Sequence, residues 1–105
     1  MTIDHQVQEK ADVTLGDQIR EMVSCRETGF SLSKRAQREM DGHRIDWQDV
    51  IHTLKKFTRS ENDFNVKSRA RRLIARALDD DRDISVVVVV YEGEKKIKIV
   101  ATWAE

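Results

Sequence analysis

Apolar residues recur at every third or fourth position in the first half of the chain, which predicts amphipathic helices. The first such stripe consists of Leu15, Ile19, Met22 and Val23. Thr14 is a suitable N-cap and Gly29 a suitable C-terminal cap, so we predict a helix over roughly residues 15–27. Residues 1–13 mix charges without periodicity, and we expect a flexible N-terminus there.

Two shorter helices are predicted next. Ser33 caps a helix with Ala36 and Met40 on one side, and Gly42 is expected to end it. Asp46 caps the following helix. Its apolar stripe consists of Trp47, Val50, Ile51 and Leu54. The spacing therefore predicts a helical hairpin with a tight turn.

The second half of the chain has the pattern of strands. Residues 84–91 contain five consecutive valines, which is typical of a strand covered on both faces. A second strand is predicted where Ile97, Ile99, Ala101 and Trp103 alternate with other residues, after a hairpin loop at 92–95. Trp47 and Trp103 both lie on apolar stripes, so we expect both in the core.

Residues 66–78 fit either a helix or a strand. Their apolar residues have helical spacing, but the valine strand needs a partner on its second edge. We therefore predict a strand, and residues 59–65 are interpreted as a polar connection. The resulting expectation is a single α+β domain over 14–105, with an N-terminal helix and a helical hairpin packed on a three-stranded antiparallel meander.

Composition restricts the partners. Charged residues make up 36% of the 105 residues, and 19 basic and 19 acidic side chains cancel overall. Residues 34–76, however, carry twelve basic and six acidic residues, which is a pattern typical of a nucleic-acid footprint. The chain has one cysteine and neither a signal-like start nor a long apolar run, so we expect a cytoplasmic protein with no membrane contact.

The residues Ser33-Lys34-Arg35-Ala36-Gln37-Arg38-Glu39-Met40-Asp41-Gly42-His43-Arg44-Ile45, followed by Asp49-Val50 and Leu54, resemble the opening of a small uncharacterised bacterial domain family. Its members carry a pattern like T-x-H-A-x-x-R-M-x-x-R-x-I. The C-terminal part is also similar, so the resemblance covers about residues 31–104. That family is related in fold to RelE-like and BrnT-like toxins, small ribonucleases of toxin–antitoxin systems, and this relation favours the strand at 70–78.

The sequence departs from the family pattern at polar positions. Arg35 stands where the family has histidine, and Glu39 and His43 stand where it has arginines, whereas the packing residues Ala36, Met40 and Ile45 fit. The resemblance therefore supports the fold more strongly than it supports catalysis.

Metal-independent RNA cleavage needs a group that activates the 2′-hydroxyl, cations that stabilise the phosphorane and an acid for the leaving oxygen. The predicted catalytic candidates are His43, Arg35 and Tyr91. The predicted nucleic-acid-binding residues are Arg38, Arg69, Arg72 and Arg76. If 69–76 is a strand, Arg72 and Arg76 share a face and Arg71 lies on the other. No metal site and no cofactor is predicted.

Two hypotheses about function stay open. The first is an RNA-binding domain with endoribonuclease activity, of a toxin–antitoxin or mobile-element type. The alternative is a non-catalytic protein-binding module, such as a phage-encoded inhibitor of a host complex, which the zero net charge and the altered polar signature favour. The partner is accordingly expected to be RNA or a protein, such as an antitoxin or a host complex.

Overall fold

A computed structural model of the chain describes residues 15–65, 70–79, 82–91 and 93–105. The expected flexible terminus at 1–13 and the N-cap Thr14 lie outside these residues. The helices are α1 (15–24), α2 (Lys34–His43) and α3 (Trp47–Lys56). The strands are β1 (Gly29–Leu32), β2 (Arg59–Asn65), β3 (Ala70–Asp79), β4 (Arg82–Tyr91) and β5 (Lys96–Ala104).

The strands form one sheet in the order β1-β5-β4-β3-β2. Strand β1 is parallel to β5, and the other neighbours are antiparallel. The predicted α+β class and the strand assignment of the arginine-rich segment are confirmed. The three-stranded meander is wrong, because two further strands extend the described sheet to five.

Both additional strands occupy edges, where the sequence signal for a strand is weak. The expected polar connection at 59–65 is β2, and its polar composition suits a strand whose other edge pairs with no described strand. Gly29 does not cap the first helix. Helix α1 ends at residue 24, three residues before the predicted boundary, and Gly29 begins β1 by donating its N–H to the Lys95 carbonyl at 2.9 Å.

The end of α2 also differs from the prediction. The helix continues one residue past Gly42, and Arg44 takes the left-handed conformation with φ 56°. Ile45 then donates its N–H to the Met40 carbonyl at 2.8 Å, as in a Schellman motif. Asp46 caps α3 as predicted, in a reciprocal capping box with Asp49.

All three described helices pack on the same face of the sheet. Ile19, Ala36, Val50 and Leu54 from the helices are fully buried in one cluster with the inward side chains of the strands. The inward strand residues in that cluster are Leu73, Ala75, Ile84, Val86, Val88, Val90, Ile97 and Ile99. The opposite face of the sheet therefore carries none of the described helices.

A register shift between Val87 and Val88 changes which face the end of β5 presents. Val88 pairs with Ile99 but Val87 pairs with Ala101, so one extra residue of β5 is inserted. After the inserted residue, the even-numbered residues of β5 face the helices instead of the odd-numbered ones. Thr102 is therefore fully buried, and Trp103 lies opposite Ser85 on the face away from the helices. The expectation of Trp103 in the helix-covered core is wrong.

Trp47 does pack against the core, as expected. Its ring meets that of Phe30 edge-on, with 5.3 Å between the ring centroids. This contact ties α3 to the edge strand β1.

Candidate nucleic-acid interface

We call the sheet face opposite the helices the uncovered face, because none of the described helices packs on it. Its positions follow from the pairing register, because directly paired residues share a face. On the three central strands it consists of Ala70, Arg72, Ile74, Arg76, Leu78, Asp83, Ser85, Val87, Val89, Tyr91, Lys96, Lys98, Ala101 and Trp103. Ser85, Val87 and Ala101 at its centre are buried. The uncovered face therefore combines cations, a carboxylate, aliphatic side chains and two aromatic rings.

Arg72 and Arg76 lie on the uncovered face, and Arg71 lies on the opposite face, as the strand assignment predicts. Arg72 pairs with Val89, and Val89 in turn pairs with Lys98. These three residues form a row across β3, β4 and β5, which we call the cation row. Two strand spacings separate its ends, so the backbones of Arg72 and Lys98 are about 10 Å apart.

The other end of the uncovered face has internally compensated charges. Arg59 forms an ion pair with Asp83, and the Arg76 guanidinium lies 3.7 Å from a Glu61 carboxylate oxygen. The Nε of Arg76 is buried without a hydrogen-bond partner among the described residues. The carboxylates of Asp83 and Glu61 therefore offset positive charge at this end of the face.

Exposed aromatic surface lies beside the cation row. Tyr91 follows Val89 by two residues on β4, shares its face and is 38% exposed. Trp103 is half-buried at the opposite end of the same face. Cations next to an accessible ring are the combination by which sheets bind unpaired nucleotides, because phosphates pair with the cations and bases stack on the ring.

The three predicted catalytic residues are not brought together. His43 ends α2, its Nδ1 lies 3.5 Å from the Ala104 N–H, and its carbonyl accepts from Arg82 at the start of β4. Tyr91 is the last residue of β4, about 30 Å away at the usual rise per strand residue. Arg35 is two turns before His43 on α2 and contacts Glu39 at 3.3 Å.

The predicted nucleic-acid-binding residues also separate. Arg38 lies on α2, exposed on the side of the helix away from the sheet. Arg69 lies outside the described residues. Only Arg72 and Arg76 of this set are seen on the uncovered face.

Lys98 is a member of the cation row that was not among the predicted residues. The signal was present in the sequence, because Lys98 stands between the two buried isoleucines Ile97 and Ile99. A lysine at that position of a half-covered strand has to lie on the face opposite them. What the sequence did not indicate was its alignment with Arg72.

Comparisons with protein-family models, curated proteins and solved structures find no match to this chain. Within the described residues, no helix is both long enough and apolar enough to span a membrane.

Proposed function

We propose that this protein binds RNA through the uncovered face of its sheet. The observation that carries the proposal is the cation row, with Arg72 and Lys98 on either side of Val89 and the exposed Tyr91 next to it. Two positive side chains about 10 Å apart beside a stacking surface match the chemistry of an RNA strand.

Cleavage of the bound RNA is a separate part of the proposal. Of the three candidate catalytic residues, Tyr91 lies beside the cation row, where its hydroxyl can exchange a proton with a bound nucleotide. His43 lies near the start of β4, at the other end of that strand, and Arg35 lies on α2, which packs on the opposite face of the sheet, so neither faces the cation row. If the domain is a metal-independent endoribonuclease, Tyr91→Phe is expected to lower the cleavage rate by roughly 100-fold or more in buffer containing EDTA.

Binding is tested with a fluorescent single-stranded RNA of twelve nucleotides, measured by anisotropy between 50 and 200 mM salt. We expect affinity to fall as salt rises, because each neutralised phosphate releases a counterion. The double variant Arg72→Ala, Lys98→Ala is expected to make the logarithmic salt slope shallower by about 1.4, at about 0.7 per contact. Thermal melts of each variant establish that the fold is retained.

The double variant Lys55→Ala, Lys56→Ala is the matched control, because it removes two exposed positive charges from the helical side of the protein. Binding unchanged in this control but weakened in the Arg72→Ala, Lys98→Ala variant supports the uncovered face. Equal loss in both, or binding that is independent of salt, contradicts it.

A second candidate function is protein binding, and the exposed side chain of Leu78 favours it. Leu78 is 71% exposed near the compensated Arg59–Asp83 ion pair. A protein partner can bury this leucine side chain, whereas a phosphate group gains nothing from contact with it. A partner captured from nuclease-treated lysate by the wild type and lost in Leu78→Asp, with no RNA affinity, would select this function.

A further inference from the structure

A small recess lies where the uncovered face reaches the edge strand β1. Its volume is about 190 Å³, and it is lined by Gly29, Phe30, Ser31 and Lys96. Gly29 has no side chain and that of Ser31 is short, so the surface is low beside the longer lysines of β5. The recess is smaller than the roughly 300–1,000 Å³ of pockets that enclose whole small molecules, so it suits a single chemical group.

Two of the side chains that line this recess are hydrogen-bond donors. The N–H groups of Gly29 and Ser33 are already bonded to the Lys95 and Ile99 carbonyls of β5 at 2.9 Å. The N–H and the C=O of Phe30 both point to the other edge of β1, with which no described strand pairs. The Ser31 hydroxyl and the Lys96 ammonium group are therefore the side-chain donors at the recess, and the lysine charge favours an anion.

The recess is continuous with the cation row. Ser31 pairs with Lys98, so Arg72, Val89, Lys98 and Ser31 occupy one row across four strands, about 14 Å from end to end. Lys96 is two residues before Lys98 and lies on the same face. An RNA strand that follows the row toward β1 therefore arrives at the recess.

We infer that the recess is a phosphate subsite for single-stranded RNA, an inference that rests on the proposed function. The phosphate is held by the Lys96 ammonium and the Ser31 hydroxyl, and the adjoining part of the strand lies on the cation row. The RNA is single-stranded at this point, because a base can stack on the Tyr91 ring only when it is not stacked and paired within an RNA duplex.

Two variants test the subsite. Lys96→Met removes the charge but keeps the aliphatic stem, and it is expected to make the logarithmic salt slope shallower by about 0.7. Ser31→Phe fills the recess at an exposed strand position that an aromatic residue tolerates, and it is expected to weaken binding about tenfold at low salt by displacing a charge-assisted hydrogen bond. Lys55→Met, at an exposed position of α3, removes the same charge from the helical side and is expected to bind like wild type.

The probe is a single-stranded uridine dodecamer labelled at its 3′ end and prepared with either a 5′-phosphate or a 5′-hydroxyl. If Lys96→Met weakens binding of only the 5′-phosphorylated RNA, the recess binds a terminal phosphate. If Lys96→Met weakens binding of both RNAs equally, the recess binds an internal phosphate.

The failures of the two proposals are distinguishable. If Lys96→Met and Ser31→Phe bind like wild type while Arg72→Ala, Lys98→Ala loses binding, the uncovered face stands and the subsite is rejected. If wild type binds neither RNA, the proposed function itself is rejected. If Lys55→Met changes the salt slope as much as Lys96→Met, the effect is one of net charge and the subsite is again rejected.

Discussion

The substitution Gly42→Ala, near the end of α2, is expected to stabilise the protein. Gly42 is helical and Arg44 takes the left-handed conformation at φ 56°, although the sequence pattern predicts Gly42 as the residue that ends the helix. A Cβ at residue 42 meets no atom within 4 Å, so the substitution has no steric cost. Inside a helix, alanine is more stabilising than glycine by roughly 0.5–1 kcal/mol in the free energy of unfolding. We expect a gain of about 0.5 kcal/mol at residue 42, because it lies close to the end of the helix.

Arg44→Gly is the complementary change. The left-handed conformation costs a non-glycine residue about 1–2 kcal/mol, and part of this is offset by the greater freedom of glycine when unfolded. We expect a net gain of about 0.5 kcal/mol, so the double variant should gain about 1 kcal/mol. For a domain of this size, that corresponds to a rise in Tm of roughly 4–8 °C.

Urea denaturation followed by circular dichroism measures both effects, and an unchanged m value confirms that the unfolding transition is the same. The result that refutes this reasoning is a loss of stability in Gly42→Ala. It would mean that Gly42, as the sequence pattern predicts, takes the left-handed position and that the helix ends earlier.

Three further variants test the packing that supports the uncovered face. Leu54→Ala removes a fully buried side chain, and denaturation should show a loss of about 3 kcal/mol. Ser33→Ala is expected to lower the free energy of unfolding by about 1.5 kcal/mol in the same assay. The reason is that the Ser33 hydroxyl accepts from the Ala36 N–H and donates to the Val100 carbonyl, both at 3.0 Å. Ser33→Thr keeps the hydroxyl and should retain most of this stability. Arg20→Met removes a 2.8 Å hydrogen bond to the Phe57 carbonyl and a cation–π contact, so amide exchange should accelerate in α1 before it does in the sheet. Unchanged stability or exchange in any of these variants contradicts the contact concerned.

Local sequence patterns determined the elements that carry strong apolar periodicity. The stripe through Val50 and Leu54 identified α3, and the valine run identified the central strand, because burial requires apolar residues at the period of each element. The strand predicted for residues 66–78 also followed from the sequence, and the structure has it as Ala70–Asp79. That prediction depended on the need of a central strand for hydrogen bonds on both edges, which overrode the helical spacing.

Tertiary structure alone decided the edges of the sheet, the face of Trp103 and the candidate site. Strand β2 is polar and β1 has four residues, so neither carries a periodic signal, and only pairing with β3 and β5 makes them strands. The extra residue of β5 reverses the alternation, which places Trp103 outside the helix-covered core. The cation row joins Arg72 and Lys98, 26 positions apart, because register is a property of paired strands and is not encoded in either strand alone.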